Sequence, residues 1–249
     1  MKKYLALSAL LGLQLSSFSA MATPISVDLS SWSSEGQGDW QVQSGNDAVR
    51  QSINGSPTVF FNSSLSALDA AISGTISVRT SSDDDFIGFV LGYQSGELNS
   101  ASADFWLVDW KQSAQIEAPR GLALSHVTGT QDYWRHTGSV NEIARGATLG
   151  STGWADFASY DFDLVYTSSL LQVLVNGNLE LSVTAAQAGV AEFADGAFGF
   201  YNYSQSDVLY SGVIEQAAED VAVSVSETTS IPLFALALAG LFGLRRKTK

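Results

Sequence analysis

The sequence contains no cysteine, two histidines and four prolines, and its central part has little positive charge. Without cysteine there is no disulfide, no thiol nucleophile and no thiolate zinc site, so an exported domain of this composition depends on its own core. His126 and His136 stand outside any H-E-x-x-H spacing, and no G-x-S-x-G elbow is present, which removes the common zinc-hydrolase and serine-hydrolase patterns. Both histidines are therefore expected to be structural. Between Thr23 and Ser230 there are 25 acidic residues against six basic ones (Arg50, Arg79, Lys111, Arg120, Arg135 and Arg145), a net charge of −19. Such a surface repels nucleic acid and anionic lipid and attracts cations. Neither apolar run, Tyr4–Leu15 nor Ile231–Leu244, reaches the roughly 20 residues that an upright membrane span needs.

The two ends carry what charge and hydropathy the body lacks. Met1–Ala22 has Lys2 and Lys3, an apolar stretch from Tyr4 to Leu15, and Ala20-Met21-Ala22, the pattern of a secretory signal peptide with its cleavage site. At the other end Ile231–Leu244 is apolar and is followed by Arg245, Arg246, Lys247 and Lys249. A short apolar run with a basic stop can engage a bilayer when tilted, its cations staying on the cytoplasmic side. The expected organisation is a signal peptide over 1–22, one domain over 23–214, an acidic spacer over 215–230 and a sorting or anchor tail over 231–249. The protein is thus expected to be exported, at the cell surface or outside the cell, with a transient membrane tether through its C-terminal tail.

The body reads as strands. "ISGTISVRT" (72–80) and "DFWLVDWKQ" (104–112) alternate apolar and polar residues, whereas "FIGFVLGY" (86–93) is apolar on both faces, as for a central strand. "LLQVLVNGNLELSV" holds two strands around Asn176-Gly177, the dipeptide of a type I′ hairpin. "YDFDLVYT", "GAFGFYNY" and "DVLYSGVI" complete the set, with no helical period sustained past two turns. Many short strands and 22 glycines predict an all-β fold of two packed antiparallel sheets, a β-sandwich. The strands 86–93 and 104–112 are expected to pair, with Trp106 and Trp110 lying over Gly88 and Gly92.

"DDDFIGFVLGYQS", "FWLVDWKQ", "RHTG", "GWADFASYDFDLVY" and "GAFGFYNYSQ" occur in that order. Over roughly Trp40 to Ile214 these words resemble the C-terminal domain of thrombospondins, a lectin-like jelly-roll sandwich of the concanavalin A type. The resemblance implies an adhesion or matrix-binding module whose partner is an extracellular polysaccharide or a surface protein. The EGF-like modules and Asp-rich calcium repeats that precede this domain in the animal proteins are absent, so family calcium binding carries over in part. The tail resembles a PEP-CTERM sorting signal of Gram-negative bacteria, with Ile231-Pro232-Leu233 where Pro-Glu-Pro stands in that pattern.

Asp83, Asp84 and Asp85 are the candidate metal ligands, because calcium takes about six to eight oxygens from clustered carboxylates and carbonyls on loops. Alternation lets Asp83 and Asp85 converge and turns Asp84 away, whereas Asp109 lies too far along the paired strand. The triplet is then either a calcium site or a solvated acidic turn. Among the aromatics, Tyr133 and Trp134 lie in a loop-like stretch and are expected at the surface, where a ring could stack on a sugar. No catalytic residue is assigned. The alternative is a secreted carbohydrate-active enzyme, which needs two carboxylates about 5–10 Å apart. Asp161 and Asp163 have that spacing, but simple alternation makes them solvent-facing positions of a half-buried strand.

Overall fold

The computed structural model describes residues 23–223 except 65 and 116. The signal-peptide and tail expectations, 1–22 and 231–249, and the spacer from 224 onward lie outside the described residues. Within them the chain forms fifteen strands. The first eight are β1 (Ile25–Ser26), β2 (Ser33–Gly36), β3 (Trp40–Val42), β4 (Ala48–Gln51), β5 (Thr58–Phe61), β6 (Ala70–Val78), β7 (Phe86–Tyr93) and β8 (Asp104–Lys111). The others are β9 (Gly121–Asp132), β10 (Thr137–Arg145), β11 (Ser159–Tyr166), β12 (Leu170–Val175), β13 (Asn178–Thr184), β14 (Ala197–Tyr203) and β15 (Val208–Ala217). One short helix, Ala218–Val221, follows. No helix among the described residues is long and apolar enough to cross a membrane.

The strands build two sheets, both antiparallel throughout. One has eight strands in the order β13-β12-β11-β6-β15-β4-β3, with β1 also on β15; the other has seven, β10-β9-β8-β7-β14-β5-β2. The chain passes between sheets from β5 to β6, from β6 to β7 and from β14 to β15, so neighbours in sequence face each other across the core. This is the all-β sandwich of two antiparallel sheets that the alternation predicts. The hairpin turn at Asn176-Gly177 is also as expected: Val175 pairs with Asn178, and the two turn residues have φ of 50° and 73°.

The core lies between the sheets. Ile87, Phe89 and Leu91 of β7 and Trp106, Val108 and Trp110 of β8 meet Ile72, Ile76 and Val78 of β6 and Phe162, Leu164 and Tyr166 of β11. At its centre the Phe89 and Phe162 rings are 4.6 Å apart. Each fully buried side chain of this size contributes roughly 1.5–3 kcal/mol. A second apolar layer forms on the outer face of the seven-stranded sheet. There Phe86, Val90, Phe105, Leu107 and Tyr201 are covered by Leu98 from the 94–103 loop and by Tyr133 from the β9–β10 tip. Covered on both faces, β7 is buried along its whole length, which is why "FIGFVLGY" carries no alternation.

Two expectations are corrected here. β7 and β8 do pair, but Trp110 stands opposite Ile87, Trp106 opposite Leu91, and Gly88 opposite Asp109. Alternation puts the indoles on the inner face with the odd-numbered residues of β7, and Gly88 on the other; Gly92, at φ 71°, does lie beside Trp106, whose Cδ1 is 3.8 Å from where a Cβ would be. Gly88 is required by close backbone approach instead: a Cβ there would lie 2.0 Å from the carbonyl oxygen of Val108. Tyr133 and Trp134 are not surface platforms. Tyr133 is buried and donates to Leu98 O at 3.0 Å, and Trp134 packs edge-on against Phe86 and Tyr203 at 5.8 and 5.7 Å. Among the described residues the exposed aromatic is Phe157, 71% accessible and held at φ 58° in the loop before β11.

Candidate functional site

The three aspartates end the loop that leads into β7, and local hydrogen bonds fix the last of them. The Asp85 backbone N–H donates to Gln205 Oε1 at 3.2 Å, and its carbonyl accepts from Trp154 Nε1 at 3.0 Å. Its side chain is buried, as is Lys111 at the end of β8, and register places Lys111 beside Phe86. The Lys111 ammonium forms an ion pair with Asp85 Oδ1, donates to Asp84 O at 3.3 Å and to Gln115 Oε1 at 3.1 Å. It also lies 4.8 and 4.7 Å from the ring centroids of Phe86 and Trp134. A buried ammonium is tolerable only when paired and hydrogen-bonded, and this one is both.

The outer two carboxylates are less occupied. Asp84 Oδ1 accepts from Gln115 Nε2 at 2.7 Å and is 4.0 Å from the Lys111 ammonium. Asp83 accepts from Asn54 Nδ2 and, at 3.0 Å, from the Asp84 backbone N–H. Partial burial, with the charges of Asp85 and Asp84 nearby, pushes the Asp83 carboxyl above its ordinary range despite that backbone bond. One oxygen from each of the three aspartates falls within 4.8 Å of the others. The triplet thus converges as a whole, Asp84 included, which an extended chain does not allow and a turn does.

Lys111 is the residue that sequence reasoning missed. It is the sole lysine between Thr23 and Ser230, and it lies two residues beyond Asp109, where β8 reaches the level of the triplet. Its presence decides where a divalent cation fits. Two unit charges 4 Å apart interact by about 4 kcal/mol at an effective dielectric of about 20, so a dication seated against Asp85 faces roughly twice that from the ammonium. A cation on the outer side, at Asp83 and Asp84, meets less of that repulsion than one clasped between Asp83 and Asp85, whose carboxylate is in contact with the ammonium.

The histidines have partners elsewhere. His126 Nε2 lies 2.7 Å from Asp104 Oδ1, and its ring stacks on Trp106 at 4.2 Å. His136, at φ 51° in the β9–β10 tip, lies 2.8 Å from Asp109 Oδ2 through Nε2 and 3.9 Å from Glu142 through Nδ1, an ion-pair distance. Burial disfavours the imidazolium, but Asp109 and Glu142 outweigh it and raise the pKa to about 10. Contact with His136, opposed by burial and aided by Arg145, lowers Glu142 to about 2. Asp161 and Asp163 accept from Thr75 at 3.2 Å and from Ser73 at 2.5 Å.

Residues 35–129 match the family model of the thrombospondin C-terminal region. The match begins in β2 and ends in β9, so it contains the triplet and Lys111. Chicken (Gallus gallus) thrombospondin-2 is 30% identical over an alignment of 196 residues that covers 70% of this chain and 16% of that protein. The chain spans a fifth or less of the length of the curated relatives it matches. Among solved structures, the carbohydrate binding module CBM66 from Bacillus subtilis superposes with a TM-score of 0.54 at 11% identity, over 75% of this chain and 96% of that one. The exoplasmic/lumenal domain of VIP36, solved with Ca2+ and Man2 bound, gives 0.50 at 14% identity, over 81% and 85%. These likenesses place the fold among lectin-like sandwiches.

Proposed function

We propose that this chain is an exported, non-enzymatic binding module that recognises a surface glycan or protein through a single lectin-like sandwich. The observation that carries the reading is the two-sheet architecture, combined with the thrombospondin C-terminal match across the central strands. The non-enzymatic part is supported by the engagement of Asp161 and Asp163 with hydroxyl donors on the solvent face of the eight-stranded sheet. A glycan array run with a reducing-sugar assay tests it: binding without new reducing ends supports a module, and new reducing ends overturn it.

Calcium enters this reading at Asp83 and Asp84. A bound ion would supply charge neutralisation to the outer carboxylates and stiffen the loop into β7; Lys111 performs that service for Asp85. Binding to the folded state alone stabilises by roughly 2.7 kcal/mol at a hundredfold excess over Kd. That is a rise of several degrees in Tm for a domain of this size. Calcium is expected to raise the Tm of the wild type at fixed ionic strength, magnesium to do less, and Asp83→Asn with Asp84→Asn to abolish the shift. An equal calcium shift in wild type and double variant removes the ion from the reading.

Export and tethering rest on Met1–Ala22 and Ile231–Leu244. Deleting Leu233–Lys249 is expected to move the protein from the membrane fraction into the medium, and identical fractionation of the two forms contradicts the tether.

A further inference from the structure

At the end of the sandwich where β7 finishes, an open bowl of 280 Å³ lies between three loops. Ser63, Ser64 and Ser66 come from the β5–β6 loop, Gln94 and Ser95 from the loop after β7, and Asp195 from the approach to β14. We propose that this bowl binds a neutral, hydroxyl-rich ligand, one sugar unit of a glycan. The inference rests on the binding-module reading and gives it a site away from the acidic turn.

Each part of the wall favours that class. The Ser63 and Ser64 hydroxyls have no partner among the described residues, and the Ser95 hydroxyl, which donates to Glu35 at 2.8 Å, can still accept, so the wall presents both donors and acceptors, which suits the mixed hydrogen-bonding of sugar hydroxyls. No arginine, lysine or histidine lines the bowl, so nothing there compensates a phosphate, sulfate or carboxylate. The volume lies below the roughly 300–1,000 Å³ of pockets that enclose drug-sized apolar ligands. It admits one ring of a chain that continues into solvent.

Asp195 is set for the central contact. Its Oδ1 accepts from the Ser66 hydroxyl and, at 2.7 Å, from the Gly196 N–H, while Oδ2 has no partner among the described residues. The carboxylate is thus oriented by one oxygen and offers the other. The floor is rigid for a steric reason. Gly196 passes so close to Gly92 that a Cβ would lie 2.3 Å from its carbonyl carbon, and the Gly196 carbonyl accepts from Ala67 at 2.8 Å. Gln94 Nε2 donates to Asp195 O at 3.2 Å and ties the two loops together.

The test uses the full chain and a glycan array, followed by titration of the best glycan at two salt concentrations. Asp195→Asn removes the charged acceptor, and Ser63→Trp fills the bowl from an exposed position. Both are expected to leave Tm unchanged and to weaken binding by roughly tenfold or more, the worth of a hydrogen bond to a charged group. Wild-type affinity is expected to be insensitive to salt, because the ligand is neutral. If the wild type binds a glycan and both variants bind it equally, or if affinity falls steeply with salt, the site is elsewhere and this inference fails while the module reading stands. If the wild type binds no glycan, or only a protein partner, the carbohydrate assignment fails outright.

Discussion

Lys111 governs the acidic turn. With Asp85 buried beside it, removing the ammonium leaves a carboxylate without a counter-ion in a site that excludes water. Lys111→Met is therefore expected to cost about 3–5 kcal/mol in urea unfolding, and Lys111→Met combined with Asp85→Asn to recover most of the loss. A single-variant cost below about 1 kcal/mol, the scale of a surface pair, would show that the ammonium does not hold the turn. The sequence shows three adjacent aspartates, but not their counter-ion, which lies 26 residues away on the neighbouring strand. The charge pattern is local and legible; its neutralisation is tertiary and is not. Asp84 is misplaced for a related reason, since alternation applies to an extended chain and the triplet lies in a loop.

At the scale of elements, the β9–β10 hairpin is latched by His136 between Asp109 of β8 and Glu142 of its own second strand. Arg145 faces Glu142 at 2.7 Å, and among the described residues no other charged side chain pairs with His136. The raised pKa of His136 means that its contribution is complete below pH 6.5 and is lost as pH rises toward about 10. The lowered pKa of Glu142 means that its contribution is complete above pH 4.5 and is lost as pH falls toward about 2. The latch is thus strongest between these windows. His136→Asn keeps a residue that tolerates the left-handed backbone. The variant is expected to lose the wild-type decline in Tm between pH 6.5 and 10, and an unchanged difference between the two proteins across that range would contradict the latch. The hairpin at Asn176-Gly177 is readable from two residues because its turn chemistry is local. The covering role of Tyr133 and Trp134 is not, because nothing near them in sequence shows that the tip folds back over the outer face of β7.

At the scale of the whole molecule, 25 acidic residues against six basic ones between Thr23 and Ser230 fit a protein that meets neutral or cationic partners and avoids polyanions. The sandwich is legible because its signal is repeated in nearly every segment, and one misread face does not change the class. The binding site is not legible, because the bowl is assembled from serines and an aspartate on three separate loops, residue types that in sequence look like ordinary surface. The central claim is that this sandwich binds and does not cut. The most direct measurement is to incubate the full-length protein with each glycan it retains on an array and to weigh the glycan afterwards by mass spectrometry. Retention with every glycan mass unchanged is the expected result. Shortened glycans would make the protein an enzyme, and retention of none would remove carbohydrate from its function.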